Sequence, residues 1–188
     1  MILLVDHCNR KGSLSRDEFV GPVARIVGRA GYAWEEVHFS ELQSETLELA
    51  DGIILCGTAL EDNLFAAQAG KFAWLREVRV PVLGICAGMQ VLCQTFGGRI
   101  RPGCGIGMTT VRTSAPAPIL PEETEFLAFE LHTNTCDPPP GWVTLAVSET
   151  GIQAVRHPDQ PLFGVMFHPE VRNDAVVERF LTLCRDRA

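Results

Sequence analysis

The stretch "VPVLGICAGMQVL", residues 80 to 92, sets one cysteine between two glycines where a β-branched apolar run gives way to a helical pattern. The run up to Cys86 reads as a buried strand and the residues after it as a helix. Gly84-Ile85-Cys86-Ala87-Gly88 is Gly-x-Cys-x-Gly, the thiol form of the strand–turn–helix elbow that presents a nucleophile. Such a turn is sharp enough that the residues two before and two after the nucleophile meet at close range, and glycine fits there without a Cβ clash. The turn lifts Cys86 above the sheet edge at a helix N-terminus, where the dipole and free N–H groups favour a thiolate. Of those N–H groups, that of Ala87 is the natural donor to the oxyanion of a tetrahedral intermediate. A plain buried cysteine in a tight turn would explain the pentapeptide equally well. Gln90, four residues on and on the same helical face as Cys86, weighs against the plain reading. A base downstream does so more strongly.

Outward from this stretch, short apolar runs alternate with segments of helical period. "ILLV" (2–5), "WEEVHF" (34–39) and "GIILC" (52–56) read as strands. Helices are expected over about 16–30, closing on Gly31, over 40–50 with Ser40 as N-cap, and over 61–78 despite Gly70. Strand–helix–strand alternation at this spacing predicts an open, mostly parallel sheet with helices on both faces, an α/β fold of flavodoxin-like type. After residue 97 the character changes to strands with short links: "GGRIRPG", "GMTTVRT", "EFLAFELHT", "WVTLAVSE", "IQAVRH" and "LFGVMF". These predict antiparallel hairpin extensions. "DPPPGW" (137–142) is a rigid turn, and a last helix is expected over about 173–187. No repeat or linker divides the chain, so residues 1–188 are expected to form a single domain.

The bulk numbers narrow the function classes. A length of 188 residues, 46% apolar and 21% charged, fits an ordinary globular domain. A net charge of −7 argues against nucleic acid or an anionic membrane as partner. No apolar run approaches a membrane span. The start, "MILLVDHCNRKG", has its apolar block before its basic residues, unlike a signal peptide. A cytoplasmic location with seven reduced cysteines is therefore expected. With no CxxC pair, no metal site is expected, and His7 beside Cys8 reads as structural. No cofactor is implied.

A thiolate needs a base, and two of the five histidines stand in nearly the same words: "RHPDQP" at His157 and "FHPEV" at His168. "IQAVRH" and "LFGVMFH" read as two arms of one hairpin with "HPDQP" as its turn. His157 and His168 then lie at opposite ends of one arm, roughly 16 Å apart at about 3.3 Å per residue. Only one end can face Cys86. Pro169 keeps His168 extended, so residues 168 and 170 should point to one side. Glu170 would hold one imidazole nitrogen while the other faces the thiol. His157 is expected to be a solvated turn residue and His38 to be exposed.

"LGICAGMQ" followed about 80 residues later by "GVMFHPE" resembles the class I glutamine amidotransferases, which carry a Cys-His-Glu triad. The resemblance covers essentially the whole chain. It implies that Cys86 attacks the side-chain amide of L-glutamine, forms a γ-glutamyl thioester and releases ammonia. His168 would shuttle the proton, Glu170 orient it, and Gln90 help hold the amino-acid end. Members of the family usually have a Gly-Gly-Pro-type loop after the third strand as half of the oxyanion hole. Here "LCGTALEDN" has one glycine and no proline, which leaves Gly57 as the oxyanion candidate. "ELHTN" (130–134), with His132 and Thr133, lies where the family binds the glutamine backbone and faces a partner. The amidotransferase of GMP synthetase has an Asp two residues after that His; here Asn134 stands there. No nucleotide-binding segment is visible, so a synthetase partner is implied, with GMP synthetase the nearest guess and anthranilate synthase behind it. A free-standing γ-glutamyl hydrolase and a catalytically idle regulatory relative are the alternatives.

Overall fold

The computed structural model describes residues 1–185. The first half alternates strand and helix: β1 (Ile2–Asp6), α1 (Leu14–Arg29), β2 (Trp34–His38), α2 (Ser44–Glu48), β3 (Gly52–Leu55) and α3 (Leu64–Ala67). A 3-10 segment (Ala69–Arg76) then leads to β4 (Val82–Ile85) and α4 (Ala87–Thr95). Five strands come next: β5 (Arg99–Thr113), β6 (Glu125–Asp137), β7 (Val143–Ser148), β8 (Gly151–Arg156) and β9 (Leu162–Val165). The short α5 (Pro169–Arg172) and α6 (Asp174–Arg185) close the described chain.

All nine strands form one sheet in the order β2-β1-β3-β4-β9-β8-β7-β5-β6. The pairings from β2 through β9 are parallel, and those from β9 through β6 are antiparallel. The fold expectation holds on both counts. Every residue of β1, β3, β4 and β9 is buried, as strands covered on both faces must be. Alternation along β1 feeds two cores. Ile2 and Leu4 pack with Val20, Val23 and Val27 of α1 and with Val177 and Phe180 of α6. Leu3 and Val5 pack with Phe39, Phe65, Phe72 and Leu75, and with Val91 and Leu92 of α4. Each such side chain contributes about 1.5 to 3 kcal/mol when fully buried.

Local expectations need correction at three places. The helix expected from Ser40 begins at Ser44, with Gln43 before it. The 61–78 helix is broken into α3 and the 3-10 segment near Gly70, where glycine's backbone freedom disfavours a continuous helix. "GGRIRPG" and "GMTTVRT" are one strand, because Pro102 sits at a register shift opposite β6 rather than ending the strand. The last helix is expected over 173–187, of which 186 and 187 lie outside the described residues. No helix among the described residues is long and apolar enough to cross a membrane.

Candidate active site

Because β3, β4 and β9 are parallel neighbours, their C-terminal ends fall on one edge of the sheet. The residues leaving those ends are Gly57, Cys86 and His168. Open α/β sheets bind ligands at this edge. His157 precedes β9 and lies at the opposite end, as the hairpin reading required.

Cys86 has φ 48° and is the one non-glycine residue with positive φ among the described residues. Strain of this kind costs on the order of 1 to 3 kcal/mol and persists only where packing enforces it. The enforcement is visible at the two flanking glycines. A Cβ on Gly84 would lie 2.5 Å from the Gly88 carbonyl carbon, and one on Gly88 would lie 2.1 Å from the Leu55 carbonyl oxygen. The elbow is therefore as tight as the sequence pattern demanded. Cys86 N–H donates to the Val165 carbonyl at 2.8 Å, tying the elbow to β9. The thiol donates to the Leu131 carbonyl at 3.7 Å.

His168 reaches the same edge and is 1% exposed. Its backbone N–H donates to the Phe129 carbonyl at 2.8 Å, and Phe19 of α1 packs on its ring. Nδ1 lies 2.7 Å from Glu170 Oε1, so the Nδ1 proton is donated to the carboxylate. The pairing was expected but its backbone reason was not: Glu170 sits in the helical turn α5, with His168 as its N-cap, rather than in an extended run. Nε2 has no hydrogen-bond partner among the described residues and is the free nitrogen of the ring. Burial alone would push the imidazole down, but the Glu170 carboxylate and then Cys86 outweigh it and hold His168 well above its ordinary value.

A tight cavity of about 20 Å³ opens beside the thiol, room for about one water. Cys86, Ala87, Gln90, His132 and Thr133 line it, together with Thr58, Ala59, Leu60, Asp62, Asn63 and Leu131. Five of the eight residues singled out from sequence thus meet here. Gly57 does not line the cavity. A Cβ there would lie 2.8 Å from His168 Cε1, so the missing side chain makes room for the base. His132 lines the cavity with both ring nitrogens engaged. Its Nδ1 lies 2.9 Å from the Gly103 carbonyl and its Nε2 3.4 Å from Glu130 Oε1. Thr150 and Gln153 also donate to that carboxylate. Burial would raise the Glu130 pKa, but these partners, His132 foremost, hold it below the usual range.

Sequence reasoning missed the Leu131 carbonyl, Asn134 as the acceptor of the Gln90 amide at 2.9 Å, and the brace of Thr58 Oγ1 on Asp62 at 2.7 Å. It also misplaced two histidines. His38 is buried between Ser40 and the Cys8 carbonyl. His157 sits at the turn but packs edge-on to Phe96 and Trp142 instead of standing in solvent. His7 meets the Cys56 carbonyl among three phenylalanine rings, and burial pushes it down to about 4. Among the described residues no cluster of three or more His, Cys, Asp or Glu side chains is arranged to hold a metal.

Residues 16–183 match the family described as glutamine amidotransferase class-I. The A subunit of GMP synthase (glutamine-hydrolyzing) of Methanothrix thermoacetophila is 34% identical over 151 residues, covering 73% of this chain and 78% of that protein. A longer GMP synthase (glutamine-hydrolyzing) of Thermosynechococcus vestitus is 30% identical, covering 79% of this chain but 29% of that protein. Among solved structures, one from Thermoplasma acidophilum superposes with a TM-score of 0.87 at 22% identity, over 99% of this chain and 94% of the other. A glutamine amidotransferase of Thermotoga maritima does so at 0.70 and 19%, over 99% and 82%. At such identities these two likenesses concern the fold.

Proposed function

The chain belongs to the class I glutamine amidotransferase family, and we propose that it is a single-domain glutaminase subunit whose Cys86 hydrolyses L-glutamine to glutamate and ammonia for a partner synthetase. The observation that carries this reading is the strained Cys86 elbow on the same sheet edge as the His168–Glu170 pair.

The Cys86 thiol gives its proton to His168 Nε2 and the sulfur adds to the side-chain amide carbon. The developing oxyanion meets the N–H groups at the start of α4, where the first turn has no internal acceptors. His168 Nε2–H gives its proton to the leaving nitrogen, ammonia departs and a γ-glutamyl thioester remains. His168 then takes a proton from water as the water attacks, glutamate leaves and the thiol is restored. Glu170 fixes the ring so that Nε2 faces the reaction. Gln90 and Thr133 line the side on which the amino-acid end of glutamine would lie.

Three observations support a partner. The relatives matched along most of their length are A subunits of GMP synthase, whereas the longer GMP synthase carries much more chain than the match covers. That pattern fits GMP synthetase as the enzyme that takes up the ammonia. The cavity beside the thiol is tight in the chain alone, so what docks beside its wall can affect its width. The outer face of β5 and β6 exposes Ile106, Met108 and Leu127, a strip that Ile106 joins to the cavity through its pairing with Leu131. A synthetase seated there would touch the strand that walls the pocket.

The test is glutamate release by the purified chain. Cys86→Ser should leave less than a tenth of the turnover, and greater retention would remove Cys86 from the role. A synthetase with its ATP and acceptor bound should raise wild-type turnover by roughly 10² to 10³, the worth of aligning an oxyanion donor. Ile106→Glu should lose most of that stimulation and keep the basal rate. Full activity alone, unchanged by a synthetase, would indicate a free-standing hydrolase.

A further inference from the structure

The face of α4 that carries the nucleophile touches β6 at three successive levels. Cys86 reaches the Leu131 carbonyl, Gln90 reaches the Asn134 carbonyl, and Cys93 reaches Cys136. Positions 86, 90 and 93 are one helical stripe, so this is a single seam with the pocket at its top. At its base the Cys93 and Cys136 sulfurs lie 2.9 Å apart, about 0.9 Å more than a disulfide bond. Both side chains are buried in the same core, and both are free thiols. The glutaminase chemistry uses neither.

We propose that Cys93 and Cys136 are an oxidisable dithiol that closes to a disulfide under a hydroperoxide, tying α4 to β6 and fixing the wall of the pocket. One thiolate takes the terminal oxygen of the hydroperoxide, becoming a sulfenic acid as the O–O bond breaks and an alcohol or water leaves. The second thiol attacks that sulfur, the S–S bond forms, the S–O bond breaks and water leaves. Two thiols are oxidised and one hydroperoxide is reduced. The hydrogen bond to Cys93 and burial together push the Cys136 thiol above its usual range, so the thiolate is scarce and closure is slow at neutral pH. The rate should rise with pH. The ring closed in the chain spans 43 residues, long enough that the link restricts the unfolded state and raises the unfolding temperature.

The experiment reads the bond itself and is independent of glutamine hydrolysis. Tryptic peptide 80–99 contains Cys86 and Cys93, and peptide 113–156 contains Cys136 alone. Cys86→Ser protein is treated with hydrogen peroxide, its remaining thiols are alkylated, and the digest is weighed without reductant. The expected result is a species joining the two peptides, split by dithiothreitol, together with an unfolding temperature that rises on oxidation and returns on reduction. Cys93→Ala and Cys136→Ala should each abolish the joined species. Recovery of both peptides separately, with Cys104 oxidised in the same sample, would overturn the proposal.

Discussion

Two corners of this molecule are written in almost the same letters, His157-Pro158-Asp159 and His168-Pro169-Glu170, at the two ends of β9. At the first, Nδ1 accepts the backbone N–H groups of Asp159 and Gln160 at 3.1 and 3.0 Å, so the ring proton stands on Nε2. Desolvation pushes that imidazole below its ordinary value, against a small opposing pull from Asp159. At the second, Nδ1 donates to Glu170, Nε2 is free, and the imidazole is held well above its ordinary value. A histidine, a proline and an acid thus make a turn brace at one corner and a base with its orienter at the other. What differs is position: only the second corner shares the edge where parallel strands end and Cys86 emerges.

The largest expected difference between the corners is in turnover. His168→Ala should lower glutamine hydrolysis by on the order of 10³-fold or more, as removing the base of a coupled triad does. His157→Ala should change turnover less than about threefold and instead lower the unfolding temperature, because it removes contacts to Phe96 and Trp142. Equal effects would erase the distinction. The acids come next. Glu170→Gln should cost on the order of 10² in turnover, while Asp159→Asn should be silent. The smallest effect is in titration. By NMR the His168 ring should titrate above 6.5 and the His157 ring below it. The raised value means that His168 contributes stability below pH 6.5 that is lost as pH rises through its folded pKa. The lowered value means that the His157 contribution is present above pH 6.5 and is lost as pH falls through its folded pKa. Glu170→Gln should bring the two titrations closer together.

The residues that could be read from sequence were those whose side chains have to be what they are. Gly84 and Gly88 cannot carry a Cβ where the elbow closes, and the unbroken apolar runs of β1, β3 and β4 announce strands covered twice. The hairpin logic separated His168 from His157 because an arm of known rise has two ends. Contacts made by the backbone were not legible. Any residue at 131 could offer its carbonyl to the thiol, so Leu131 carries no signature of its role. Nor did alternating polarity reveal that His38 is buried, since its burial comes from the loop carrying Cys8 folding over it. His132 was legible as a wall of the pocket but not as a ring with both nitrogens engaged, because Gly103 reaches it only through the β5–β6 pairing.

The central claim is that one thiol of seven is the nucleophile, chosen by strain and place rather than by exposure. Reaction with a glutamine-mimicking electrophile, followed by peptide mass mapping, tests it most directly. Cys86 is 4% exposed, whereas Cys104 is the exposed cysteine on the surface of β5. The predicted result is a single label on Cys86, formed at stoichiometry of one, blocked by excess glutamine and slowed strongly by His168→Ala. A label on Cys104, or spread over several cysteines and indifferent to glutamine, would contradict it.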